Sequence, residues 1–171
     1  MSAARNATDA VSIHGLQFDF PRRRHMSPDA SDAYQRLSGR GVKNMDVWVA
    51  THERVYFIEV TSSGTLKKHF HESGGGLNAF ADDLGRRVVH TLLLLGAGLS
   101  DVEPAASVVR EHPCDLRGLR IKLVFVVIPT LKNLILRCVR GALEIHGLAQ
   151  HDVIVMTPEQ ARAHEGFPFL N

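Results

Sequence analysis

At 171 residues, 44% of them hydrophobic and 22% charged, the chain is long enough to bury a core and excludes the disordered and collagen-like classes. A formal net charge of +2 sets up no global field for nucleic acid, so any such role rests on local clusters such as Arg22-Arg23-Arg24-His25, Lys67-Lys68-His69 and Arg86-Arg87. Cys114 and Cys138 form neither a disulfide framework nor a paired metal-ligand spacing. With no signal-like start and no apolar run long enough for a bilayer, the chain reads as a cytoplasmic protein without a membrane partner.

In chain order, residues 1–10 are expected to be frayed and residues 11–171 to form one domain. Residues 11–20 read as a strand bent at Gly15. Ser27 followed by Pro28 predicts a helix start, with Gly39 as its stop and Ala33, Tyr34 and Leu37 on its buried side. Residues 45–50 and 55–61 are rich in β-branched and aromatic side chains and flank the polar Thr51-His52-Glu53-Arg54, which predicts a hairpin. The glycine-rich residues 62–76 read as a loop. A long helix follows, with Leu77, Phe80, Leu84, Val88, Leu92 and Leu95 as its apolar stripe and Asp82, Asp83, Arg86 and Arg87 on an exposed face. A polar stretch containing Pro104 and Pro113 leads to residues 121–128, whose unbroken apolar character predicts a strand covered on both faces. Leu131, Leu134, Ile135, Cys138, Ala142 and Ile145 repeat at helical spacing. Residues 153–156 form a last strand, and Thr157-Pro158-Glu159-Gln160 is a capping box. The order of elements predicts an α/β domain: a three-layer α-β-α sandwich with one mixed central sheet.

The hairpin carries the chemistry. Glu59 and Thr61 share a face because side chains alternate along a strand. A loop of two or four residues sets Asp46 opposite Glu59, whereas a loop of three sends the two carboxylates to opposite faces. Two carboxylates among Trp48, Ala50, Val55 and Phe57 need a cation, a shared proton or an open cleft; the alternative is that one of them lies in water at a strand end. Other motifs are weaker. His69-Phe70-His71 supplies two imidazoles but no further zinc ligand, Gly64-Thr65-Leu66-Lys67 lacks the phosphate-loop spacing, and Cys114 has no Cys/His partner motif.

The hairpin, long helix and following strand, about residues 28–129, resemble the PD-(D/E)XK nuclease superfamily with its restriction-endonuclease-like fold. In that superfamily an Asp opens one strand, a (D/E)-x-K triplet lies on the next, and the carboxylates hold Mg²⁺ beside the scissile phosphate. The resemblance implies metal ligation by Asp46, Glu59 and the Val60 carbonyl, with Mg²⁺ or Mn²⁺ as cofactor. The chain departs from the pattern at Thr61, which stands where the lysine belongs and carries no positive charge. Lys67 or Lys68 would supply that cation, and Arg86 or Arg87 would touch phosphate. Little room remains between Gly39 and Met45 for the expected extra strand, and residues 13–20 would substitute. The resemblance implies phosphodiester hydrolysis of DNA or RNA. Its alternative is an inactive nuclease-like module that binds nucleic acid or a protein partner, in a setting such as bacterial defence; oligomeric state is left open.

Overall fold

Strands β1 (Thr8–Ile13) and β2 (Leu16–Pro21) form a hairpin of their own, with Ile13 opposite Leu16 across the two-residue loop His14-Gly15. Both loop residues have positive φ, 48° and 86°, which matches the right-handed twist of the flanking strands and accounts for the glycine at the second position. The bend expected at Gly15 is therefore a full reversal, and the chain is already extended at Thr8 instead of frayed to residue 10. The computed structural model describes residues 8–67 and 76–171.

A short strand β3 (His25–Met26) then opens a second sheet, followed by helix α1 (Asp32–Ser38). Ser27 does not cap this helix. Pro28–Ala30 is a separate 3₁₀ turn, and Ser31 accepts the Tyr34 N–H at 3.0 Å as the actual N-cap. Helix α1 buries Ala33, Tyr34 and Leu37 and ends at Gly39, as its sequence predicts. Strands β4 (Val47–Ala50) and β5 (Arg54–Thr61) pair antiparallel with Val47 opposite Ile58, and Thr51 N–H donates to the Arg54 carbonyl at 2.7 Å. The loop is thus the two residues His52 and Glu53.

Helix α2 (Leu77–Leu99) and helix α3 (Ala105–Glu111) connect β5 to β6 (Arg120–Val127), which runs parallel to it. Helix α3 occupies the polar stretch read from the sequence as a connection. Helix α4 (Lys132–Ile145) leads to β7 (Asp152–Met156), parallel to β6. Helix α5 (Pro158–Ala163) has the expected capping box, with Thr157 and Gln160 in reciprocal hydrogen bonds. The main sheet is mixed, ordered β3-β4-β5-β6-β7, so the apolar residues 121–128 lie in its interior. The edge position beside β4 belongs to the two-residue β3 and not to residues 13–20, which stay in the separate hairpin.

The two faces of the sheet are covered differently. Helices α1 to α4 pack on Trp48, Ala50, Val55, Phe57, Leu123 and Phe125. The opposite face, with Val47, Val49, Tyr56, Ile58 and Val60, meets the β1-β2 hairpin, Ala161 of α5 and the C-terminal Phe167 and Phe169. A second full helical layer is absent among the described residues: one short helix and a β-hairpin take its place. Trp48 and Phe57 are fully buried and meet edge to face at 5.0 Å. Among the described residues no helix is long and apolar enough to cross a membrane.

Candidate functional site

The even loop between β4 and β5 brings Asp46 and Glu59 to the same end and the same face of the hairpin. Asp46 lies one residue ahead of β4, and its Oδ2 accepts the Val60 N–H at 2.8 Å. The carboxylate continues the ladder that β4 leaves unfinished. Because a strand residue turns its N–H and carbonyl to the same side, the Val60 carbonyl faces this edge too.

Asp46 is held by the segment before it, which is moored to α2. Lys43 N–H donates to His90 Nδ1 at 3.1 Å, and Met45 N–H donates to Thr91 Oγ1 at 3.1 Å. Thr91 Oγ1 and Trp48 Nε1 both donate to Asn44 Oδ1, at 2.6 and 3.0 Å. These bonds satisfy polar groups that would otherwise be stranded against the core, and they tie the start of β4 to one register along the helix.

Helix α2 also supplies the cation. Arg87 Nη1 lies 3.2 Å from Glu59 Oε1 and 4.0 Å from Asp46 Oδ1, while its Nε lies 3.4 Å from Asp83 Oδ2. Asp83 in turn pairs with Lys43 Nζ, and Arg86 lies 3.8 Å from it. His14, on the β1-β2 turn, brings Nε2 to 3.7 Å from Asp46 Oδ2. His14, Asp46, Glu59, Asp83 and Arg87 line a cavity of about 580 Å³ with Asp29, Ser62, Thr65 and Phe80. It opens beside the carboxyl end of β5, where β5 has an antiparallel neighbour on one side and a parallel one on the other. Open α/β sheets bind ligands at such carboxyl ends.

Electrostatics separate the acids. Burial, and then the neighbouring Asp46 carboxylate, push the Glu59 carboxyl well above its ordinary range, against the opposing pull of Arg87. For Asp83, burial also acts upward, but the hydrogen bond and charge of Lys43, with Arg87, outweigh it and hold the carboxyl below its ordinary value. Arg87 is held more firmly protonated, chiefly by Glu59. Glu59 Oε2 and Thr61 Oγ1 are buried without a hydrogen-bond partner. A buried carboxylate oxygen left open is a donor atom for a cation.

The structure brings Asp46, Glu59, Val60 and Arg87 together, with Thr61 buried one strand step beyond Glu59. Lys67 is exposed and does not line the cavity, and Arg86 points into the groove between α2 and α4. Lys68, His69 and His71 lie outside the described residues. The exposed helix face expected for Asp82, Asp83, Arg86 and Arg87 is divided: Asp82 and Arg86 are exposed, Asp83 is buried and Arg87 is two-thirds buried. The signal for the missed Asp83 and Thr91 is a polar column that they form with Arg87 at steps of four, running beside the stripe Phe80, Leu84 and Val88. Asn44, Lys43 and His14 carried no motif, because only the fold brings them to the acid pair.

Among the described residues, no three His, Cys, Asp or Glu side chains gather closely enough to enclose a metal ion. Two carboxylates, one with a free oxygen, and a strand-edge carbonyl fit a hard dication that keeps other positions for water and substrate, not a closed structural site. Comparison with family models, with curated proteins and with solved structures found no match.

Proposed function

We propose that the chain is a nuclease-like hydrolase of phosphodiester bonds in DNA or RNA, dependent on Mg²⁺ or Mn²⁺, with a restriction-endonuclease-like arrangement of its core. The observation that carries this reading is the convergence of Asp46, Glu59 and Arg87 on one open cavity. An acid ahead of one strand, an acid near the end of the next and a cation beside both are what the resemblance to PD-(D/E)XK nucleases implies. The antiparallel hairpin followed through a helix by a parallel strand supports it further.

Asp46, Glu59 and the Val60 carbonyl would hold the ion, which when bound polarises the phosphate and lowers the pKa of a coordinated water. Arg87 takes the part of the missing lysine. A guanidinium stays charged at every working pH, so it orients phosphate oxygens and stabilises developing negative charge but does not remove a proton. Asp83 fixes the Nε end of Arg87, and Lys43 neutralises the charge left on Asp83. His14 Nε2, on the same wall, is a group of the right kind to exchange a proton with water. Phe80 and the buried strand ends limit solvent around the acids.

The test is cleavage of plasmid DNA and of RNA by the purified chain with Mg²⁺ or Mn²⁺. Asp46→Asn and Glu59→Gln should each lower the rate about 100-fold or more, the usual scale for losing a central electrostatic group. Cleavage that survives both substitutions overturns the assignment. A second reading, a catalytically silent module that binds nucleic acid or protein, is favoured by one observation: Arg87 lies against both acids and supplies part of their counter-charge from the protein itself. Nucleic-acid binding without scission in either metal would select it.

A further inference from the structure

The geometry around Arg87 points to a competition: we infer that its Nη1 end is the resident counter-ion of Asp46 and Glu59, and that a divalent cation binds the pair only by displacing it. This rests on the metal-dependent reading above and goes beyond it, since it assigns to Arg87 control over the affinity of the site. The guanidinium is held at two ends by different groups. Its Nε lies 3.4 Å from Asp83, whereas Nη1 lies 3.2 Å from Glu59 and 4.0 Å from Asp46. Asp83 is itself fixed by Lys43 and is 9% exposed, so it acts as a pivot. Nη1 can leave the acids without Arg87 losing its hold on the helix.

The side chain has room to move, because Arg87 is 32% exposed and lines the cavity. Glu59, by contrast, cannot follow: its side chain is 4% exposed and sits on an interior strand. A dication between the two acids and a guanidinium nitrogen 3.2 Å from one of them would repel across a poorly solvated gap. One of them must withdraw, and only Arg87 has space. Glu59 keeps a counter-charge in either state, which answers the cost of burying it.

The experiment is Mn²⁺ titration of the full chain by calorimetry and electron paramagnetic resonance, comparing the natural sequence with Arg87→Met and Arg87→Lys. Arg87→Met should bind Mn²⁺ about ten-fold more tightly or better, since a repelling charge is gone from the rim of the site. Methylguanidinium added to Arg87→Met should weaken the binding again by refilling the vacated place. Arg87→Lys, too short to span Asp83 and Glu59 together, should fall between. Equal affinity in all three chains overturns the competition and leaves the metal site standing. No Mn²⁺ binding in any of them overturns the metal-dependent reading and the inference with it. Should Arg87→Met fail to fold in metal-free buffer, recovery of its structure by Mn²⁺ supports the inference and failure to recover overturns it.

Discussion

The two faces of β5 carry alternate residues of one short sequence and meet opposite fates. Tyr56, Ile58 and Val60 enter a core that holds no buried charge among the described residues, where Tyr56, Phe18, Phe20, Phe167 and Phe169 pack ring against ring at 5.1 to 6.5 Å. Phe57 begins the other face in the same manner, but Glu59 ends it in a cavity lined by four acids, itself included, and an arginine, and Glu59 Oε2 and Thr61 Oγ1 stay buried without a hydrogen-bond partner. One face is built for stability. The other gives some of it up at one end of the sheet, where burial of Glu59 opposes its own ionisation. Such a concession is expected where a structure keeps groups ready for a ligand.

The largest effects should come from the aromatic face. Phe18 is fully buried between hairpin and sheet, so Phe18→Ala should lower stability by about 3–5 kcal/mol in chemical denaturation. Manganese affinity of the fraction that stays folded should not change. A loss under about 1 kcal/mol would mean that the hairpin is not part of the core and would erase the contrast between the faces.

Glu59→Gln should act in the opposite direction. Because the folded-state pKa of Glu59 is raised, the native protein holds that proton more tightly than the unfolded chain. Stability therefore falls as pH climbs from the ordinary carboxyl range to the raised value. Removing the charge should add about 1 kcal/mol at neutral pH, and the gain should vanish below the ordinary carboxyl range. Thermal melts of both chains across pH read this directly. A destabilised Glu59→Gln at neutral pH would show that the Arg87 pair outweighs burial.

The smallest effect belongs to Thr61→Val. The hydroxyl is buried and has no partner, so a methyl in its place should leave stability unchanged or raise it by a few tenths of a kcal/mol. A loss above about 1 kcal/mol would reveal a bound water or ligand on Oγ1 and would move Thr61 into the working part of the site.

Much of the scaffold was decided locally. The β4-β5 hairpin, the stripe of α2, the apolar run of β6 and the capping box before α5 follow from periodicity and turn chemistry, which act over a few residues. The same local rules made Asp46 and Glu59 neighbours once the loop was even. They did not determine what covers the second face of the sheet, because a hairpin and a helix both satisfy an apolar surface. Nor did they reveal α3, whose seven residues are stabilised by packing Ala105, Ala106 and Val108 against the core. Arg87 was a phosphate-contact candidate in the sequence, but its place beside the acid pair was decided by tertiary structure. Arg87 lies 28 residues beyond Glu59, beside a helical stripe in the sequence, and the mooring of residues 43–45 on α2 brings its helix turn over the buried acids, where its charge offsets theirs.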